Sequence, residues 1–125
     1  MIFGIGTDIV AVARMAALYR RHGERALEIL LAPSERDACR KASLPERFLA
    51  KRFAAKEALG KALGTGVRAP ALLPAIAVRN DALGKPSFEF SPALAKHMSG
   101  RGLTAHLSMS DEQDHAVAFV ILERR

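Results

Sequence analysis

Pro45 and Gly64 frame the longest regular stretch of this chain. Proline suits the first turn of a helix and glycine suits its stop, so residues 45–63 are predicted as one long helix. Around Glu57 on its wheel lie Ala50, Ala54, Gly60, Lys61 and Gly64. Most are small, so that face admits close approach by a ligand or by another stretch of backbone. Gly60 inside a helix costs about 1 kcal/mol relative to alanine, and something has to offset that cost. Whatever fold the chain adopts must be built round this helix.

The other segments are shorter. Residues 2–10 read as a strand broken by Gly4 and Gly6, and residues 11–22 as a helix closed by Gly23. A short helix over 24–31 runs up to Pro33. Ser34 with Asp37 resembles a capping box, which starts a helix over 35–41. Two strands, 75–79 and 86–90, flank the turn-rich link Asn80–Lys85, and Pro92 opens a helix ending near Gly100 and Gly102. Strands 103–110 and 115–123 form a hairpin across Asp111-Glu112-Gln113-Asp114. Residues 116–122 are apolar at every position, which predicts a central strand covered by helices. The order gives a single α+β domain, residues 1–125. In it a largely antiparallel sheet packs against one long helix and several short ones.

Half of the 125 residues are hydrophobic, enough for a real core, though a chain this short leaves surface that an oligomer could cover. The net charge of +6 points to anionic partners. The lone Cys39 excludes an internal disulfide, fits a reducing cytoplasm and reads as structural. The opening Met1-Ile2-Phe3-Gly4 carries no basic region of a signal peptide, and no apolar run approaches the roughly 18 residues of a membrane span.

A few side chains could carry chemistry. Asp8 ends an otherwise apolar strand and is either a helix N-cap or a ligand. Glu57 with Lys61 is either a surface ion pair, worth about 0.2–0.5 kcal/mol, or part of an anion site. Mg²⁺ favours one or two carboxylates with phosphate oxygens and water; Asp8 and Glu57, if brought together, supply that set, with Lys56 and Lys61 to neutralise phosphate. The amides of Gly64-Thr65-Gly66 either stop the helix or cradle phosphate. His106, Ser108 and Ser110 alternate onto one strand face, either solvated or lining a cleft. His97, His106 and His115 fit no zinc spacing. On residues 11–22, Val12, Ala16 and Tyr19 are expected to face the core, turning Arg14, Leu18 and Arg21 outward.

At these residues the sequence resembles a known family, the holo-acyl-carrier-protein synthases. Ile2 to Val10 resembles the family's first motif, and the run from Arg47 through Ala58 to Gly66 closely resembles its second. Gly84-Lys85-Pro86 and His106-Leu107-Ser108-Met109-Ser110 resemble the remaining landmarks, so the likeness covers essentially the whole chain. It implies the phosphopantetheinyl transferase fold and Mg²⁺-dependent transfer of phosphopantetheine from coenzyme A to a serine of an acyl carrier protein. The metal carboxylates fall on Asp8 and Glu57. The phosphate-binding lysine falls on Lys61 and a coenzyme-contacting histidine on His106, while Gly84, Lys85 and Pro86 correspond to a loop near the adenine. The resemblance also implies homotrimers with active sites between subunits and an acidic carrier protein that Arg14, Leu18 and Arg21 would dock. Neither nucleic acid nor membrane is an expected partner; a basic nucleic-acid-binding domain is the rival reading, though no motif of that class is present. Where many relatives carry histidine after the second serine of the hairpin motif, this chain has Asp111, which reads as a structural turn residue.

Overall fold

The computed structural model describes all residues, Met1 to Arg125. In chain order the elements are β1 (Ile2–Ala11), α1 (Val12–His22), α2 (Glu24–Leu30), α3 (Pro33–Lys41) and α4 (Pro45–Leu63). A 3₁₀ turn (Leu73–Ala75) follows, then β2 (Ile76–Asn80), β3 (Pro86–Phe90), α5 (Pro92–Gly100), β4 (Leu103–Asp111) and β5 (His115–Arg124). The architecture is the expected α+β. All strand pairs are antiparallel, but they form two sheets, a three-stranded one ordered β1-β5-β4 and the separate β2–β3 hairpin.

α4 lies across the larger sheet, and small residues set how closely. A Cβ on Gly4 would sit 1.9 Å from the Ala62 carbonyl oxygen, and one on Gly6 would sit 1.9 Å from that of Ala58. Only hydrogen fits between β1 and this helix face. Gly4 and Gly6 therefore do not break the strand, which runs through both. The small face of α4 is filled here by backbone. Gly60 meets the returning loop in the same way: its added Cβ would lie 2.7 Å from the Gly66 carbonyl carbon, and the Gly66 amide donates to the Gly60 carbonyl at 3.0 Å. That close packing is what offsets glycine's cost inside the helix.

β5 is central, as its apolar run predicted, but helices cover one face alone. Ala116, Ala118, Val120 and Leu122 are buried against α4, whereas Val117 and Phe119 stay exposed beside Ile5 and Ile9 of β1. An apolar sheet face is left open.

Other expectations are corrected at the termini of helices. α3 begins at Pro33, and Glu35 rather than Asp37 closes its first turn by accepting the Ala32 amide at 2.8 Å. On α1 the buried pair is Val12 and Met15, with Ala16 and Tyr19 half-buried. Leu18 packs against the core rather than projecting outward, because α2 folds back and presents Ala26, Leu27 and Leu30 to the same core. Cys39 is buried and free, and burial pushes its thiol up to about 11, which suits a packing role rather than a reactive one.

Candidate active site

Side chains alternate along β1, so Asp8 shares the α4-facing side with Gly4 and Gly6. It lies inside the strand, four residues before α1 begins at Val12, and caps no helix. The N-cap alternative is thereby removed. Lys61, near the C-terminal end of α4, reaches across. Its Nζ donates to Asp8 Oδ1 and to the Thr7 carbonyl, both at 2.9 Å. Glu57, one turn earlier, is half-buried beside them. Desolvation first, and then the negative charge of Asp8, raise its pKa above the ordinary carboxylate value, while Lys61 and Arg14 pull the other way. The expected constellation of Asp8, Glu57 and Lys61 is therefore assembled, although Asp8 is 49 residues from Glu57 and 53 from Lys61 along the chain.

Arg14 belongs to this neighbourhood as well. Its guanidinium lies 5.1 Å from the centre of the Phe53 ring, one turn below Glu57 on α4. The sequence placed Arg14 on an outward stripe, and the packing of α1 on α4 turns it toward the carboxylates.

Lys56 does not belong. It is wholly buried, and its Nζ donates to Glu35 Oε1 at 2.6 Å, the Leu30 carbonyl at 2.8 Å and the Leu73 carbonyl at 3.1 Å. An ammonium with three internal acceptors is not available to phosphate, so its expected role is corrected. Glu35 Oε2 accepts from the Val78 amide at 3.0 Å, and Arg52 Nε lies 3.1 Å from the same oxygen. Nothing in the spacing announced this cluster, because Glu35 meets partners 21 and 43 residues away.

The remaining predicted residues stand apart from the carboxylates within one chain. Gly84, Lys85 and Pro86 form the exposed β2–β3 turn. Asp81 Oδ1 organises it by accepting the Leu83 and Lys85 amides, each at 2.9 Å, and Asn80 Nδ2 donates to the Gly84 carbonyl at 3.0 Å. Arg52 Nη2 touches Asn80 Oδ1 at 3.5 Å, so this turn hangs from α4. His106, Ser108 and Ser110 share the open sheet face with Val117, Phe119 and Ile121. In the Gly64-Thr65-Gly66 turn, the Gly64 and Gly66 amides donate to the Lys61 and Gly60 carbonyls. A cradle built from those two amides is thus excluded, though the space round Gly64 is open.

Asp111 bridges to α4. Arg47 donates to its Oδ2 through Nε at 3.0 Å, with Nη2 at 2.8 Å, and Lys51 Nζ lies 3.7 Å from Oδ1. This carboxylate ties the end of β4 to the start of the long helix, a structural role beyond that of a turn residue.

No group of three or more His, Cys, Asp or Glu side chains converges. The two carboxylates suit a hard cation that keeps water and substrate oxygens in its shell, and would not form a closed cage by themselves.

Fold and site together define a class. The family model described as the 4'-phosphopantetheinyl transferase superfamily matches residues 4–120. A holo-[acyl-carrier-protein] synthase of Dechloromonas aromatica is 61% identical over 123 residues, 98% of each chain. The crystal structure of the synthase of that name from Neisseria meningitidis superposes with a TM-score of 0.95 at 46% identity, covering 99% of this chain and 100% of its own. One from Bacillus anthracis, in complex with CoA (3',5'-ADP), gives 0.84 at 37% identity, covering 100% and 99%. The chain belongs to this superfamily, and within it to the holo-[acyl-carrier-protein] synthase family of enzymes.

Proposed function

We propose that this enzyme transfers the 4'-phosphopantetheine arm of coenzyme A to a serine hydroxyl of an apo-acyl carrier protein. The products are holo-acyl carrier protein and adenosine 3',5'-bisphosphate, and the reaction depends on Mg²⁺. The observation that carries this reading is the meeting of Asp8, Glu57 and Lys61 at the junction of β1 and α4. Two carboxylates and an ammonium at one junction suit an anionic pyrophosphate substrate with a hard cation. The coenzyme-bound Bacillus anthracis relative supports the choice of substrate.

Asp8 and Glu57 would hold the Mg²⁺, which supplies offsetting charge to the pyrophosphate. Lys61 places a second positive charge beside the same oxygens, and the open space round Gly64 leaves room for the coenzyme at the helix end. The serine Oγ attacks the phosphorus that bears the pantetheine arm. The new Oγ–P bond forms as the bond to the adenosine bisphosphate oxygen breaks. Glu57 takes the serine proton, directly or through a water molecule. Its partial burial favours this role, since desolvation makes a carboxylate a stronger base.

Gly84, Lys85 and Pro86 would border the adenine, and His106 would touch the coenzyme from a second copy of the chain. A homotrimer accounts for the open sheet face, where Ile5 is 56% and Ile9 66% exposed. Such an assembly brings a neighbour's His106 to the carboxylates, which the single chain does not do. The exposed Arg14 and Arg21 would receive an acidic carrier protein close to Glu57. No helix is long and apolar enough to cross a membrane, and we place the enzyme in the cytoplasm, where its one thiol stays reduced.

Mass spectrometry of an apo carrier protein incubated with the enzyme and coenzyme A tests the reading. The carrier is expected to gain one phosphopantetheine with Mg²⁺ and none in excess chelator. Full turnover in chelator would overturn the metal, and no mass gain under any condition would overturn the reaction.

A further inference from the structure

We propose that Glu123 is a positioning residue for His106, holding the imidazole so that one chosen nitrogen meets the coenzyme. The inference rests on the reading above in which His106 contacts coenzyme A.

On the hairpin, Thr104 faces Glu123 and His106 faces Ile121. His106 and Glu123 are therefore diagonal neighbours on the same face of the sheet, within reach for long side chains. Their contact is made: His106 Nε2 lies 3.0 Å from Glu123 Oε1. Within one chain both side chains are about half exposed, at 55% and 53%, so there each is oriented by the other rather than by packing. The open face otherwise presents apolar and hydroxyl side chains, such as Ile9 on β1, Phe119 on β5 and Ser108 on β4, with a second imidazole, His115, at the opposite end of β5. His106 is the imidazole that Glu123 touches.

A carboxylate oxygen accepts but does not donate, so the contact commits Nε2 to carrying a proton. Nδ1 is then the nitrogen left to face a ligand. When the ring holds both protons, Nδ1–H becomes a donor to a phosphate oxygen, and Glu123 balances the added charge beside it. Without Glu123 the ring turns freely about its last torsion and presents either nitrogen. Carboxylates orient histidines on metals by the same means. An ordinary exposed ion pair would shift the folding equilibrium by at most about fivefold and contribute nothing to coenzyme binding, which gives the two readings different consequences.

The test compares Glu123→Gln, Glu123→Ala, His106→Ala and the double variant His106→Ala/Glu123→Ala in the full chain. With Glu123 altered, KM for coenzyme A should rise about threefold to fivefold, with kcat within about twofold and KM for the carrier protein unchanged. In the His106→Ala background, Glu123→Ala should add nothing, since its effect passes through the ring. Long-range ¹H–¹⁵N NMR of the parent should show the proton on Nε2 of neutral His106, and a mixture of tautomers in Glu123→Ala. A parental KM in both Glu123 variants, with a raised KM in His106→Ala, would overturn the proposal and leave the role of His106 standing. A parental KM in His106→Ala would overturn that role, and the proposal with it. An added penalty in the double variant, or an Nδ1–H tautomer in the parent, would also overturn the proposal.

Discussion

Lys56 and Glu57 are neighbours on α4 and occupy opposite electrostatic regimes. Lys56 is wholly buried and saturated, bonded to Glu35 and to two carbonyls. Glu57 is half-exposed, and desolvation and then the like charge of Asp8 raise its pKa. The first cluster gives the buried Lys56 ammonium three acceptors, as low-dielectric interiors demand, while Arg52 Nε stays near Glu35 without a well-aligned hydrogen bond. It ties the start of α3, the edge strand β2 and the middle of α4 to one carboxylate, Glu35. The second sets two carboxylates side by side at a surface with Lys61 and Arg14 within reach, an arrangement that perturbs titration as functional sites do. A helix rotates 100° per residue, so one turn of α4 serves both the core and the site. Fixing Lys56 inward is also what aims Glu57 toward Asp8.

Separating these regimes is a matter of substitution. Glu35→Ala should show the largest effect, because it strands the Lys56 ammonium in the core. A loss of about 3–5 kcal/mol is expected, read from urea denaturation. A loss below about 1 kcal/mol would mean that the two carbonyls suffice for Lys56. Glu57→Ala and Asp8→Ala should do the reverse, each lowering turnover by at least about a hundredfold, or 2.7 kcal/mol, with the urea midpoint unchanged. Near-parental turnover in either variant would return that residue to a surface role.

Asp111 sits between the regimes, partly buried and paired with Arg47 and Lys51. Asp111→His should keep turnover within about tenfold of the parent, or 1.4 kcal/mol, because the carboxylate serves the joint between β4 and α4. A gain or loss well beyond tenfold in steady-state assays would give the position a part in the chemistry.

The smallest effect concerns Glu57 and pH. Its raised folded value means that the native state holds this proton to higher pH than the unfolded chain does. Its contribution to stability is present below the unfolded value of 4.5 and is lost as pH rises through the folded one. Above that window Glu57→Gln should melt slightly above the metal-free parent, within about 0.5 kcal/mol, and below pH 4.5 the curves should converge. A variant that melts lower at pH 7 would show the ionised carboxylate to be stabilising.

Much of the fold was legible because it rests on local rules. Pro45 and Gly64 set the ends of α4, the apolar run of β5 marked the central strand, and the polar link after Ser110 marked the last hairpin. The Asp8, Glu57 and Lys61 set was legible through residue chemistry and family likeness. Tertiary packing alone decided the rest. Gly4 and Gly6 looked like strand breakers until α4 lay against them, since a missing Cβ gains meaning from the atom that would have struck it. On α1 the expected faces held for Val12, Tyr19, Arg14 and Arg21 but not for Leu18, because α2 folds back and draws that side chain to the core. Whether a lysine on α4 serves phosphate or core depended on where Glu35 arrived, and that partner is 21 residues from Lys56 in the chain. Sequence periodicity determines which residues share a face; burial, and the distant charges met there, determine what that face can do.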